Sequence, residues 1–207
     1  MMKIQLQNKF GTKYLYIVTI DNINWGVLPL KLLKSFQYLE DIDELQFEKL
    51  KMFIIDYSRE RVFKFITIRE RSEYETRQYL KKLMVHSTLV EELLEFFISK
   101  KFISDSRYAE MYVISLIDLG KSKIEISHKL KARGIPETLI EKEINKQYDR
   151  EVISNILNEN IDRAIRLNSH RPKQEQYDKC ASYLMRKGFK YYDFSDILQR
   201  KLGIYRD

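Results

Sequence analysis

The side chains of greatest chemical reactivity are few and widely separated. His86, His128 and His170 recur in no Cys/His or His/Asp/Glu pattern with metal-ligand spacing, so we expect no metal site. No glycine-rich loop joins a strand to a helix, so the sequence predicts no phosphate-binding loop for a nucleotide. Cys180 is the single cysteine. It cannot form an internal disulfide, and its place in an apolar register predicts a buried thiol in a reducing cytoplasm.

The carboxylate pairs indicate solvated helix faces rather than an acid–base site. Glu91/Glu95 and Glu141/Asp149 lie on polar helix faces among basic residues. No run of about 18 apolar residues is present, and the N-terminus lacks the apolar core of a secretory signal. We therefore predict a cytoplasmic protein that binds a partner, with no enzymatic activity, no cofactor and no membrane span.

Basic residues are the remaining candidates for function, and they are concentrated in the C-terminal half. The formal net charge is +7. Residues 121–207 hold 19 of the 37 Lys and Arg residues but only 13 of the 30 Asp and Glu residues, and 161–190 is the most basic stretch. Such a surface attracts polyanions or acidic protein faces in a salt-dependent manner, although solvated helix faces can have the same composition.

The elements that must position these residues form a repeat. Residues 104–148 contain three helical patterns, which are separated by breaks at Gly120 and Gly134, with a capping box at Ser122 and Glu125. The apolar positions of the second and third helices recur 50 residues earlier and 54 residues later. The matched sets are Leu130, Ile135, Ile140 and Ile144; Leu80, Val85, Val90 and Leu94; and Leu184, Phe189, Phe194 and Leu198. This period predicts tandem helical units.

We predict a mainly α protein, built as an elongated tandem array of three three-helix repeats. Repeat 1 spans 58–103, with helices over 58–70, 72–83 and 87–100. Repeat 2 spans 104–148, and repeat 3 spans 149–207 with helices over 149–167, 173–187 and 191–201.

Residues 1–57 are expected to form a small α+β extension. Alternating and β-branched residues predict two or three short antiparallel strands. Pro29 is expected to open a short helix that runs to about Phe36, and a second helix is expected to begin at a cap formed by Asp41 and Glu44.

Four ordered segments between residues 58 and 202 carry a family resemblance. They are Arg69-Glu70-Arg71-Ser72-x-x-Glu75, Phe102-Ile103-Ser104-Asp105-Ser106-Arg107-Tyr108-Ala109, Leu130-x-x-Arg133-Gly134-Ile135 and Tyr183-Leu184-x-Arg186-Lys187-Gly188-Phe189. Together they resemble the RecX family, which are regulatory proteins of the bacterial recombinase RecA. The sequence departs from the family pattern at Met84, which replaces the usual glycine after the second helix of repeat 1.

The resemblance implies a non-enzymatic regulator of homologous recombination and DNA repair that belongs to the SOS response. It implies binding in the helical groove of the RecA–single-stranded-DNA filament, with modulation, usually inhibition, of recombinase and ATPase activity. A sequence-independent contact with DNA is compatible with this role. We expect a monomer, because no sustained heptad is present.

The alternative interpretation is a DNA-binding transcription regulator of the helix-turn-helix type. The turn over residues 133–136 has a suitable length. However, the following helix begins Pro136-Glu137-Thr138 and continues with Glu141 and Glu143, and acidic residues there repel phosphates.

We predict that the residues that contact the filament or DNA lie at or near the ends of the middle helices. A solvated charge, or a cation at the negative end of a helix dipole, is the alternative role of each. The candidates are Lys81, Lys82, Lys129, Lys131, Arg133, Arg186, Lys187 and Lys190.

Overall fold

The computed structural model describes residues 1–204, in which a small sheet precedes a series of α-helices. The strands are β1 Met2–Asn8, β2 Leu15–Ile20, β3 Ile23–Pro29 and β4 Asp41–Ile42, with a 3₁₀ helix Leu30–Leu32 between β3 and β4. The helices are α1 Glu44–Thr67, α2 Glu73–Lys82, α3 Ser87–Ser99, α4 Asp105–Asp118, α5 Lys123–Lys131, α6 Glu137–Gln147, α7 Arg150–Leu167, α8 Lys173–Arg186 and α9 Tyr191–Leu202. The predicted mainly α fold with an N-terminal α+β extension is confirmed.

The start of α1 differs from the predicted cap. Asp41 pairs with Lys3 in β4, a fourth strand beyond the two or three expected, and is therefore unavailable to the helix. Asp43 is the N-cap instead. Its carboxylate accepts a hydrogen bond from the Gln46 backbone N–H at 2.8 Å, and the Gln46 side-chain oxygen accepts one from the Asp43 N–H at 2.9 Å. This reciprocal pair is a capping box.

Two further boundaries of the N-terminal half differ from those predicted. The helix expected over 58–70 is the second half of α1, which continues unbroken through Ser58 because neither Gly nor Pro interrupts it and Ser58 is buried in the core. The helix expected from Pro29 is only the 3₁₀ turn Leu30–Leu32.

Contacts divide the described chain into two compact units, Met1–Asp105 and the segment from Ser106 onward. In the first unit, the antiparallel strands follow the order β3-β2-β1-β4 and share one hydrophobic core with α1, α2 and α3. The His86 backbone N–H donates to the Trp25 carbonyl at 3.0 Å, and their rings stack with centroids 4.3 Å apart. The sheet is therefore packed against the helices of repeat 1.

In the second unit, the helices α4 to α9 share a second core. The hydroxyl of Tyr148 donates to the Lys121 carbonyl at 3.0 Å, and burial raises the pKa of Tyr148 to about 12. The Asn160 side-chain amide donates to the Gly120 carbonyl at 3.0 Å. Cys180 is buried in this core, as predicted, and burial raises the pKa of its thiol. The Tyr148 bond is within the predicted repeat 2, whereas the Asn160 bond joins the predicted repeats 2 and 3.

The same turn follows each middle helix α2, α5 and α8. Its central residue adopts a positive φ, at Met84 (+58°), Gly134 (+73°) and Gly188 (+82°). In every case the N–H of this residue donates to the carbonyl three residues before it at 2.9 Å. The next N–H, of Val85, Ile135 or Phe189, donates to the carbonyl five residues before it, at 3.1 to 3.2 Å. These two bonds define a Schellman motif.

The turn at Gly188 packs closely against the N-terminus of α5. Ser122 caps α5 by accepting from the Glu125 N–H at 3.2 Å, and its hydroxyl donates to the Lys187 carbonyl at 2.6 Å. A Cβ on Gly188 would lie 2.7 Å from the Ser122 Oγ and 3.1 Å from the Ile124 Cβ. A glycine is therefore required here both by its φ and by its neighbours.

We predict that Gly188→Ala lowers the free energy of unfolding by about 3 kcal/mol. About 1 to 2 kcal/mol comes from a side chain at positive φ and the rest from overlap with Ser122 and Ile124. Gly120→Ala is the matched control, because Gly120 also follows a helix at positive φ, yet its Cβ would meet only the Asn160 amide at 3.5 Å. Thermal unfolding followed by circular dichroism measures both variants, and equal losses would contradict the close packing at Gly188.

Candidate interaction surface

The predicted contact residues cluster at equivalent positions, because the Schellman motif fixes where each middle helix ends. Lys81 and Lys82 are in the last turn of α2, whereas Lys129, Lys131 and Arg133 are at the end of α5. Arg186 ends α8, and Lys187 is its C-cap. Lys190 is the N-cap of α9. Except for Lys190, these cations are at the carbonyl end of a helix, which they stabilise, so their location alone is compatible with a structural role.

The basic residues at the end of α5 contact other side chains of the protein. Lys131 Nζ lies 2.5 Å from a carboxylate oxygen of Glu137, and Lys129 Nζ lies 4.0 Å from one of Glu125. The Arg133 guanidinium lies over the Tyr112 ring, 4.5 Å from its centroid. Lys131 therefore has a close carboxylate partner, whereas Glu125 lies nearer to Lys121, at 2.9 Å, than to Lys129, so the end of α5 keeps part of its positive charge.

The residues at the α8–α9 corner, Arg186, Lys187 and Lys190, are arranged differently. Among the residues that the structure describes, none of the three forms an ion pair with a carboxylate. Lys187 lies over the Tyr183 ring at 5.8 Å, and Lys190 lies over the Tyr192 ring at 5.5 Å. Hydrogen bonding to Tyr192 raises the pKa of Lys190. This corner therefore presents positive charge outside ion pairs, flanked by tyrosines, with the carboxylate of Asp193 acting on Lys190 from the first turn of α9.

The two groups of the second unit do not form one continuous patch. Ser122, at the start of α5, contacts the Lys187 carbonyl, whereas Lys131 is at the other end of that helix. At 1.5 Å per residue, the nine residues of α5 place the backbone of Lys131 about 13 Å from that of Ser122. A polyanion that contacts both groups must follow the length of α5.

Lys81 and Lys82 belong to the first unit, where they lie near Lys9, a contact that the sequence pattern did not predict. Both side chains are exposed. The Lys9 ammonium donates to the Lys82 carbonyl at 3.2 Å, which places the β1–β2 hairpin beside the end of α2. Helical periodicity gives no signal for this contact, because the two residues are 73 positions apart.

A shallow groove of about 280 Å³ between α5 and α6 is a second feature that the sequence did not reveal. Its floor is apolar and its rim is charged. It is lined by Lys123, Ile124, Ser127, His128, Lys131, Glu137, Ile140, Glu141, Ile144 and Asn145. Within residues 1–204, no cluster of three or more His, Cys, Asp or Glu side chains has metal-binding geometry. No helix in the same range is long and apolar enough to span a membrane.

Comparison with known proteins finds matches at three levels. Residues 104–143 match the family model described as RecX, second three-helix domain. A protein named regulatory protein RecX from Streptococcus equi subsp. equi is 26% identical over 212 residues, covering 100% of this chain and 79% of the relative. A protein of the same name from Clostridium acetobutylicum is 26% identical over 153 residues, covering 69% of this chain and 68% of that protein.

Two solved structures share the fold. A crystal structure of regulatory protein RecX covers 97% of this chain and 100% of its own, with a TM-score of 0.69 and 20% identity. The crystal structure of RecX from Lactobacillus salivarius covers 73% of this chain and 97% of its own, with a TM-score of 0.62 and 22% identity.

We predict that Glu137→Gln strengthens binding of a fluorescent 20-mer of deoxythymidine about two- to threefold at low salt, because Lys131 loses its partner and gains a counterion that DNA can displace. The matched control is Glu110→Gln, which removes an equally close partner of Lys146 at 2.6 Å, away from the ends of the middle helices. Fluorescence anisotropy measures both affinities. The same increase in both variants would indicate a response to net charge alone.

Proposed function

Because this chain belongs to the RecX family, we propose that it is a non-enzymatic regulatory protein of the recombinase RecA. It binds in the helical groove of the RecA–single-stranded-DNA filament and limits recombinase and ATPase activity. Its setting is homologous recombination and DNA repair in the cytoplasm, as part of the SOS response.

The observation that carries this proposal is the recurrence of a basic helix end. Each middle helix ends in Lys or Arg side chains beside the same Schellman turn. A nucleoprotein filament also repeats its binding sites along its axis, so one chain with several equivalent basic ends can contact more than one subunit. Several weak contacts on one chain raise the overall affinity, because the later contacts are intramolecular.

The reactive side chains of the protein support a binding role. Cys180 is buried and its thiol has a raised pKa, so little nucleophilic thiolate forms at neutral pH. His86 is held by its stack on Trp25 and by a hydrogen bond between its Nδ1 and the Thr88 hydroxyl at 2.9 Å. These groups hold the fold together and leave no free nucleophile–base pair among them.

The contacts of α6 argue against specific duplex recognition by a helix-turn-helix. The helix that would enter the major groove begins with Glu137, which is exposed and paired with Lys131 across the turn. Glu141 is exposed one turn later. Two acidic side chains at the leading end of a recognition helix would face the phosphates, where they are unfavourable.

We predict that the triple charge reversal Arg186→Glu, Lys187→Glu and Lys190→Glu weakens filament binding at least tenfold at low salt. The reason is that this corner carries positive charge outside ion pairs, and several contacts to phosphates or acidic side chains become repulsive. Co-sedimentation with RecA filaments measures the affinity, and circular dichroism confirms that the helices are intact.

The matched control reverses three exposed charges on helix faces, Lys142→Glu, Arg163→Glu and Lys179→Glu, and so changes the net charge equally. The control should retain most of the binding. Equal losses in the two triple variants would show that net charge alone drives association, and undiminished binding of the first triple variant would remove the corner from the interface.

A further inference from the structure

The β1–β2 hairpin ends in a fixed turn that exposes an aromatic ring. The Thr12 N–H donates to the Lys9 carbonyl at 3.1 Å, and Gly11, the third residue of this four-residue turn, has a φ of +80°. These are the features of a type II turn, which places Phe10 at its corner. The Phe10 side chain is completely exposed.

Hydrogen bonds on both sides hold the turn in this shape. The Lys9 N–H donates to the Leu15 carbonyl at 2.8 Å, and the Thr12 hydroxyl accepts from the Leu15 N–H at 3.3 Å. The Leu30 N–H donates to the Tyr14 carbonyl at 3.0 Å, which ties the hairpin to the end of β3. The backbone on both sides of Phe10 is therefore held by hydrogen bonds, and no side chain within residues 1–204 covers the Phe10 ring.

The surroundings of Phe10 are basic and aromatic. Lys13 is exposed beside it, and the Tyr14 side chain is 75% exposed. The Lys9 ammonium contacts the backbone carbonyl of Lys82, so the end of α2, which carries the exposed Lys81 and Lys82, is near the hairpin. No acidic residue occurs before Asp21 in the sequence, or between residues 79 and 86, and Glu91, which interacts electrostatically with Lys81, is itself paired with Arg77. We call Lys9, Phe10, Lys13, Tyr14, Lys81 and Lys82 the tip surface.

We propose that the tip surface binds single-stranded DNA, with Phe10 stacked on an unpaired base and the lysines facing the phosphates. Exposed rings flanked by cations are the elements with which proteins hold single strands without sequence preference. A duplex offers no free base face to the ring. An anionic lipid surface is less suitable, because membrane-bound segments insert several aliphatic or aromatic side chains, and this tip offers Phe10 and Tyr14 alone.

This inference deepens the proposed function, since it names the part of the filament that the first unit contacts. It rests on that function only for the choice of single-stranded DNA as the partner. The exposed ring and the lysines are properties of this hairpin and of the end of α2, which belong to one compact unit.

The test is binding of the full chain to a fluorescent 20-mer of deoxythymidine, followed by anisotropy without recombinase. Phe10→Ala should weaken binding about tenfold, which corresponds to loss of one base stack. Phe10→Leu, which is apolar but lacks a ring, should lose as much, whereas Phe10→Trp should bind at least as well as the wild type. Tyr38→Ala is the control, because Tyr38 is 89% exposed but lies close in sequence to Glu40, Asp41 and Asp43, and it should change nothing.

Two further measurements distinguish the contribution of base stacking from that of charge. They are the salt dependence of the affinity and the affinity for an abasic oligonucleotide. Lys9→Ala with Lys13→Ala should reduce the slope of log affinity against log salt by about 1.4, or about 0.7 for each phosphate that is no longer neutralised. On the abasic strand, the wild type and Phe10→Ala should bind equally. Unchanged affinity of Phe10→Ala or Phe10→Leu for the normal strand would overturn the proposal. The proposal would also be overturned if Phe10→Ala lost affinity equally for the normal and the abasic strand, or if it lost affinity only for phosphatidylserine vesicles.

Co-sedimentation of the same variants with RecA filaments keeps the two proposals distinct. A Phe10-dependent affinity for the oligonucleotide without any filament binding by the wild type would remove the proposed function and leave the DNA site in place. Filament binding by the wild type, together with an oligonucleotide affinity that is independent of Phe10, would remove the DNA site alone.

Discussion

The Schellman turn after each middle helix is the constraint on which the rest of the structure depends. One residue at positive φ reverses the chain, and two backbone hydrogen bonds satisfy carbonyls that the helix end would otherwise leave unpaired. The residue after the turn, Val85, Ile135 or Phe189, is buried in the core, and the next helix begins within two residues of it. At Met84 the same geometry forms without a glycine, at the strain cost of a side chain in the left-handed region. The turn therefore forms with or without a glycine, and the close neighbours of Gly188 require one only at that position.

Ser122 shows how α5 is joined to the end of α8. Its hydroxyl accepts the Glu125 N–H as a helix cap and also donates to the Lys187 carbonyl, so the end of α8 is held against the start of α5. Each such hydrogen bond contributes about 1 kcal/mol, and the destabilisation is larger when a buried partner is left unpaired. The same contact brings the positive charge of Arg186 and Lys187 to a defined place on the second unit. The α8–α9 corner therefore contributes both to the packing of the second unit and to the proposed binding surface.

The helices of the two C-terminal repeats could be predicted closely, because their ends are encoded locally by caps and by Gly120, Gly134 and Gly188. The N-terminal half was predicted less well, since its boundaries depend on partners distant in sequence. Asp41 lies in β4 because it pairs with Lys3, and this pairing moves the cap of α1 to Asp43. For the candidate surface, the sequence located the basic helix ends. It gave no indication of which charges are neutralised, such as Lys131 by Glu137, or that Lys9 lies beside Lys82.

The central claim is that this chain regulates a recombinase filament by binding along it. The most direct measurement is the rate of ATP hydrolysis by the cognate RecA on single-stranded DNA, while this protein is added from far below to above one molecule per recombinase, at two salt concentrations. A groove-bound regulator should lower hydrolysis steeply at substoichiometric ratios, and higher salt should shift the curve to higher protein concentrations because the contacts are ionic. Unchanged hydrolysis at every ratio, combined with tight binding to one particular duplex, would contradict the account and favour a transcription regulator.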